Sequence, residues 1–429
     1  YKVLRTEHSA AWFPSDHWDW LYGNGYWWFG CDYNWYPGWR NWGCKRPYYP
    51  WWGYRSTPKP ELVAEGEAKI GKDGTLEIPI DTSLAKAMHP DRDHKYEITA
   101  EVRDASRRTI VGTGQVLVSR KPFKVHAWVD RGYYRVGDTI DVNYFARRLD
   151  GKAVSGKGSL KLYKIGYKTG KRGEPVPTET LEGTWNNKVD DTGRQRQALT
   201  ASEPGQYRVS CTVTDKAGHA IEGAYVFTIW GEGTTGEKFR FNGLELLPDR
   251  KNYKSGDTVD LRVTTARRNS TVLLFVRCAN GLCPTPKVLR LKGRSIAEAI
   301  KLSDVDMPNI FIEAVSIGDG KVHNEIRQIV VPPKKRIAKI QMVPDKTEYL
   351  PGKTAKIKLL VTDHTGEPFS GQVALTMYDK SVEYISGGSN IGDIRKTFWG
   401  WKRGHSRQLV HSLSRGGYNL ILPGHTGMR

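Results

Sequence analysis

The spacing Asp-x3-Tyr-x2-Gly occurs three times in this chain, at Asp130-Tyr134-Gly137, Asp249-Tyr253-Gly256 and Asp345-Tyr349-Gly352. Apolar residues then fall three, five and seven positions past each glycine: Ile140, Val142 and Tyr144; Val259, Leu261 and Val263; Ala355, Ile357 and Leu359. The residues between them are mostly polar. An apolar period of two belongs to a half-buried strand, because successive side chains point to opposite faces. A glycine just ahead of such a strand supplies a turn residue free to take positive φ. The chain is therefore read as a tandem array of β units, with Ile140, Val259 and Ala355 in equivalent inward seats.

Residues 130–164 lie on 345–379 at a constant offset of 215, with Thr139/Thr354, Gly151/Gly366, Ser155/Ser370, Gly156/Gly371, Leu160/Leu375 and Tyr163/Tyr378 coinciding. A second signature, Tyr96-Asp104-Gly112 and Tyr207-Asp215-Gly223, has a spacing of eight and eight. Its strands alternate in phase, Tyr96, Ile98, Ala100 and Val102 against Tyr207, Val209, Cys211 and Val213. A looser version runs from Pro308-Asn-Ile-Phe311 to Asp319-Gly320. Tyr1-Lys-Val-Leu-Arg5 is similar to Leu160-Lys-Leu-Tyr-Lys164, a strand from the middle of a unit.

The fold class expected is all-β, a tandem of immunoglobulin/fibronectin-III-like sandwiches whose first and last members are incomplete, as in a piece of a longer protein. The units expected are 1–121, 122–232, 237–333 and 337–429. Linkers read off at 119–123, 231–236 (flexible by its Gly and Thr) and 331–336 (stiffened by two prolines). The Gly/Lys/Pro-rich stretch between Lys164 and Asp190 reads as a long hairpin loop.

Residues 11–54 break the pattern. Ten of the fifteen tryptophans fall there, interleaved with Gly and Pro and following neither period. Two readings compete. In one, Trp27, Trp28, Trp35, Trp39, Trp51 and Trp52 form an interaction surface on which sugar rings or partner side chains stack. In the other the insert packs on itself and covers a neighbouring unit, since so many rings must bury one another to stay soluble.

The net charge is +20, from 66 Lys and Arg against 46 Asp and Glu. These charges are scattered along solvated strand faces and accompany no nucleic-acid motif, so no nucleic-acid partner is expected. No run of 18 apolar residues exists. Five cysteines are too few for a disulfide framework. Cys278 and Cys283 flank a hairpin turn where a bridge fits, and Cys31 and Cys44 are candidates to staple the aromatic insert. Cys211 takes an inward strand phase, as a small hydrophobe does.

No serine-nucleophile elbow, zinc-protease, phosphate-loop or dinucleotide signature is present. His89, Asp91, Asp93 and His94 cluster as metal-ligating types, but in a loop where polar residues are the default. The thrice-repeated Asp reads as a turn cap. No catalytic residue, cofactor or metal is expected.

Taken together, Asp130-Arg-Gly-Tyr-Tyr-Arg-Val-Gly137, Asp249-Arg-Lys-Asn-Tyr-Lys-Ser-Gly256, Asp345-Lys-Thr-Glu-Tyr-Leu-Pro-Gly352, Pro308-Asn-Ile-Phe-Ile312 and Gly366-Glu-Pro-Phe-Ser-Gly371, followed by Val373-Ala-Leu-Thr-Met-Tyr-Asp379, resemble macroglobulin domains of the alpha-2-macroglobulin family, in its bacterial branch. The Trp-rich insert resembles inserts of bacterial members. The resemblance implies a secreted or envelope protein. It implies a mechanism in which a protease cuts an exposed bait segment and the strained molecule collapses around it. Many members add a Cys-Gly-Glu-Gln thioester, and no Cys-x-Glu-Gln occurs here. The expected role is a scaffold part of a protease trap, with proteases met through the full-length protein and neighbouring domains of the same chain as partners. The alternative is a module that binds envelope polysaccharide through its tryptophans.

Overall fold

A computed structural model describes residues 1–8, 13–42, 59–103, 106–171, 173–277, 285–334, 337–350, 352–375, 377, 394–406, 409–411 and 413. The first sheet holds β1 (Lys2–His8), β2 (Glu61–Glu65), β3 (Asp93–Arg103) and β4 (Thr109–Val118), in the order β2-β1-β3-β4. The second unit contributes β5 (Lys124–Val129), β6 (Tyr134–Arg135), β7 (Thr139–Arg147), β8 (Gly156–Thr169), β9 (Pro175–Val189), β10 (Arg194–Thr200), β11 (Gly205–Thr214) and β12 (Ala220–Trp230). They form a three-stranded sheet, β10-β7-β5, facing a five-stranded one, β6-β12-β11-β8-β9.

The third unit repeats this plan. Its strands are β13 (Leu244–Pro248), β14 (Thr258–Thr265), β15 (Thr271–Arg277), β16 (Lys287–Arg290), β17 (Ser295–Lys301), β18 (Asn309–Gly318) and β19 (Lys321–Val330). The sheets run β13-β14-β17 and β16-β15-β18-β19, matching β5-β7-β10 and β9-β8-β11-β12 position for position. The fourth unit shows one hairpin, β20 (Lys339–Pro344) with β21 (Ile357–Thr362).

The register explains the similarity of the first five residues to a mid-unit strand. Val3 faces Ile98 and Arg5 faces Tyr96 across β1 and β3, as Leu162 faces Val209 and Lys164 faces Tyr207 across β8 and β11. Tyr96 then faces Val116 as Tyr207 faces Phe227. The first sheet is thus the four-stranded layer of the same module.

Each sandwich core is made of the alternating residues that its strands turn inward. Val125, Ala127, Val129, Ile140, Val142 and Tyr144 meet Leu160, Leu162, Tyr207, Val209, Cys211 and Val213. In the third unit Val259, Leu261 and Val263 meet Val272, Leu274, Ile310 and Ile312. At 25–30 cal/mol per Å2, each such aliphatic side chain contributes about 1.5–3 kcal/mol.

The repeated triplet is a corner. The Asp249 carboxylate accepts the Tyr253 hydroxyl at 2.8 Å and the Asp260 amide at 3.0 Å, while the Tyr253 oxygen accepts the Arg250 amide at 3.1 Å. Gly256, at φ 87°, lets the chain reverse and donate its N–H to Leu302 O at 3.1 Å.

Three expectations are corrected. The stretch from Lys164 to Asp190 is mainly strand: β8 and β9 pair as far as Thr169 with Pro175, and the prolines of β9 are tolerated because it is an edge strand. The Gly/Thr linker is tied into the third sandwich, since the Arg294 amide donates to Thr235 O at 2.9 Å. Finally, Ile140 and Val259 are fully buried but Ala355 is exposed, because among the described residues no second sheet covers the β20–β21 hairpin.

Candidate functional site, an aromatic clamp between two sandwiches

Residues 13–42 hold no strand, only short helical turns at Asp19–Tyr22 and Trp39–Asn41. Gly and Pro break every period, so the segment gains its stability from ring burial. Its first half closes the edge of the second sandwich core. Trp27 lies 6.2 Å from Trp128, and Trp28 stands edge-on to Tyr225 at 5.5 Å. Its second half lies on the outer face of β11 and β12. There Tyr33, Tyr36, Trp39 and Trp42 cluster with Ala224, Val226 and Trp230.

A buried arginine anchors that face. The Arg208 guanidinium sits between the rings of Trp42 (5.3 Å) and Tyr163 (4.7 Å). It pairs with both oxygens of Glu179 at 2.6 and 2.8 Å and with Glu222 at 2.6 Å. The Tyr36 hydroxyl donates to the same Glu179 at 2.5 Å. Burial alone would lower the Arg208 pKa, but the two carboxylates outweigh it and hold the charge.

The same segment grips the third sandwich. The Tyr22 hydroxyl donates to Pro308 O at 2.7 Å, and Arg327 donates to Trp28 O at 2.6 Å; both bonds are buried. Trp35 Nε1 donates to Asn242 Oδ1 at 3.2 Å, and Tyr33 donates to Glu245 at 3.2 Å. Lys251 pairs with Asp16 at 2.6 Å. Beside these bonds the two sandwiches touch directly. Tyr133 donates to Asp260 O at 3.2 Å, Arg135 pairs with Asp260, and Arg262 lies 4.4 Å over the Trp230 ring. Gly132 permits this approach, because a Cβ there would stand 2.2 Å from Pro248 O and 3.3 Å from Phe29.

A strap closes the assembly. Residues 401–406 cross the outer face of β18, where Arg403 donates to the carbonyls of Asp306 (3.2 Å), Asn309 (2.6 Å) and Val305 (3.0 Å). His405 meets Glu313 at 3.1 Å, beside Arg277 on the same carboxylate. Lys402 donates to Tyr22 O at 3.0 Å and Arg395 lies 5.3 Å over Trp20, so the strap holds the insert as well.

Trp27, Trp28 and Trp39 are therefore buried and Trp35 is half-buried, within one intramolecular interface. Their faces pack on other rings and on the sandwiches, and Trp27 also lines a cavity with Trp128, Asp16, Asp130 and Lys251. Trp51 and Trp52 lie outside the described residues, as do Cys44, Cys278 and Cys283. Cys31 is buried in the insert cluster, and Cys211 in the second core. Asp93 is occupied by Lys124 and by the Arg120 amide at 3.0 Å, and among the described residues no group of His, Cys, Asp or Glu is placed to hold a metal ion.

The residues that make the clamp, Arg208, Arg327, Asn242 and Glu245, were not singled out by the sequence. One signal for them existed. Ala224-Tyr-Val-Phe-Thr-Ile-Trp230 is nearly continuous rather than alternating, which marks a strand buried on both faces.

The second and third units are thus two β-sandwiches of one plan, held together by an aromatic insert. The family model for the alpha-2-macroglobulin bait region domain matches residues 244–385. An alpha-2-macroglobulin homolog of Nostoc sp. is 24% identical over 263 residues, covering 55% of this chain and 13% of the relative. Among solved structures, Salmonella alpha-2-macroglobulin reacted with methylamine is 11% identical with a TM-score of 0.30, covering 80% of this chain and 23% of that one. Native E. coli alpha-2-macroglobulin is 11% identical with a TM-score of 0.25, over 64% and 19%. Residues 244–385 thus match the bait region domain of the alpha-2-macroglobulin family, and the relatives that the chain is similar to are alpha-2-macroglobulins. It spans about an eighth of the length of the curated relative it matches. No helix among the described residues is long and apolar enough to cross a membrane.

Proposed function

We propose that this chain is a scaffold part of a broad-spectrum protease trap of the cell envelope or its surroundings, without catalytic activity of its own. Four units, 1–121, 122–232, 237–333 and 337–429, carry that role in this reading. The observation behind it is the clamp, in a family whose members inhibit proteases. Residues 13–42 join the second and third sandwiches through rings and buried bonds, and residues 401–406, which follow the fourth unit's hairpin in the chain, bind that joint as well. Such a joint suits a molecule that must hold an uncut conformation and lose it on cleavage.

Incubating the full-length protein with proteases of different specificity tests this. The expected result is cleavage confined to one segment, followed by a more compact species in small-angle scattering. Cleavage at scattered sites, or an unchanged scattering profile after a single cut, would overturn it.

A further inference from the structure

The seam between insert and third sandwich contains a buried carboxyl with no cation beside it. Glu245, on β13, is 1% exposed. Its Oε1 accepts the Asn242 amide at 2.7 Å, and its Oε2 accepts the hydroxyls of Tyr33 at 3.2 Å and Thr264 at 3.3 Å. All three donors are neutral, and one of them belongs to the insert. Other acids of the clamp meet cations instead: Asp16 has Lys251, Asp260 has Arg135, Glu179 and Glu222 share Arg208. A buried carboxylate without a cation is costly, and the cost is relieved by taking up a proton or by admitting water.

We propose that this seam is a proton-operated latch, closed while the Glu245 carboxyl is protonated and loosened when it ionises. The proposal rests on the clamp geometry and does not require the protease-trap reading.

The surroundings favour the neutral form. Burial pushes Glu245 up to about 7, against the pull of its three hydrogen bonds, and Glu325 on β19 adds to the rise. The other groups facing it are Tyr33 of the insert and Tyr167 of β8, both raised chiefly by burial, with Arg240 and Arg294 acting against the rise at Tyr167. His323 of β19 packs its ring against Gly243, two residues from Glu245.

The sign follows from linkage. The closed seam holds a proton that the opened seam releases, so opening becomes easier as pH rises from the ordinary value of 4.5 towards 7. Below that window the carboxyl is protonated in both states and the seam is tightest. Above it the loosening is complete and pH has no further effect.

Hydrogen exchange across residues 28–36 and 242–248, corrected for intrinsic rates, reads the opening equilibrium. From pH 5 to 8 the wild-type chain should open about tenfold more per pH unit through the middle of the window, then level off. Glu245→Gln should abolish the slope, whereas His323→Gln should leave it. A flat wild-type profile, a slope kept in Glu245→Gln, or a slope lost in His323→Gln would each overturn the latch. If Glu245→Gln does not fold, infrared difference spectra of the wild-type chain decide: a protonated buried carboxyl must disappear within that window. Neither readout involves a protease, so failure here leaves the trapping reading to its own test.

Discussion

The second and fourth units make the same local bonds in different surroundings. Asp130 accepts the Tyr134 hydroxyl at 2.5 Å and the Asp141 amide at 3.3 Å; Asp345 accepts the Tyr349 hydroxyl and the Lys356 amide at 3.2 Å. The Val154 amide donates to Ala146 O, and the Phe369 amide to Val361 O, each at 3.0 Å and each 215 residues apart. Val129 pairs with Val142 as Pro344 pairs with Ile357. Burial does not follow. Tyr134, Ile140 and Val142 are 0% exposed, whereas Ile357 is 41% exposed. The corner and its hairpin are therefore written locally, by a carboxylate, a hydroxyl and a glycine, while dryness is imposed by the opposing sheet and, in the second unit, by the insert.

The largest test of that contrast is truncation of an isoleucine on the strand that follows the corner in each unit. Ile140→Ala should destabilise the second sandwich by about 3–4 kcal/mol, because a filled interior is left with a cavity. Ile357→Ala should cost under about 1 kcal/mol. Denaturant unfolding followed by hydrogen exchange in each unit separates the two. Equal losses would mean that the fourth hairpin is as well covered as the second.

Next in size is the insert's own hold. Arg327 is 7% exposed and donates to the Trp28 carbonyl. Arg327→Leu leaves that carbonyl without this donor and should weaken the seam by about 2 kcal/mol. Exchange of the amides of 26–30 should rise while the cores of both sandwiches stay protected. Loss of protection in the β7 amides as well would show that the insert is part of the second core rather than a cover for it.

Much of this fold is visible in the residues. The period of two after each glycine, the offset of 215 and the eight-and-eight signature predict strands and their repetition, because each depends on local backbone chemistry and on which face is apolar. The clamp is a different matter. Its rings were visible as a group, but their destination was set by pairings far apart in the chain, Tyr22 with Pro308 and Trp28 with Arg327, for which no local pattern exists. Arg208 reads as an ordinary outward cation of an alternating strand until Trp42 and Glu179 arrive from elsewhere. Asp104, the turn residue of the first eight-and-eight signature, lies outside the described residues.

A smaller effect is expected at the corner tyrosines. Tyr134→Phe removes a donor from Asp130 inside a closed sandwich and should cost about 1–2 kcal/mol. Tyr349→Phe, made in an exposed corner, should change thermal stability too little to resolve. A marked loss in the second variant would imply that the corner, and not the layer behind it, holds the fourth hairpin together.

The smallest expected effect is a local pH response in that exposed corner. The Tyr349 hydroxyl, aided by the Lys356 amide and opposed by slight desolvation, holds the Asp345 carboxyl below the usual carboxylate range. A depressed value in the folded corner means that its stabilisation is present at neutral pH and fades as pH falls through the folded value. Corrected for the intrinsic pH dependence of exchange, the opening of the Lys356 amide should therefore rise in acid, and Asp345→Asn should remove that acid dependence. Water reaches the corner freely, so the response should stay local and leave the melting of the second and third sandwiches unmoved. Were acid to shift those sandwiches through Asp345, the fourth hairpin would have to be packed against them, and the contrast between a dry copy and a wet one would fail.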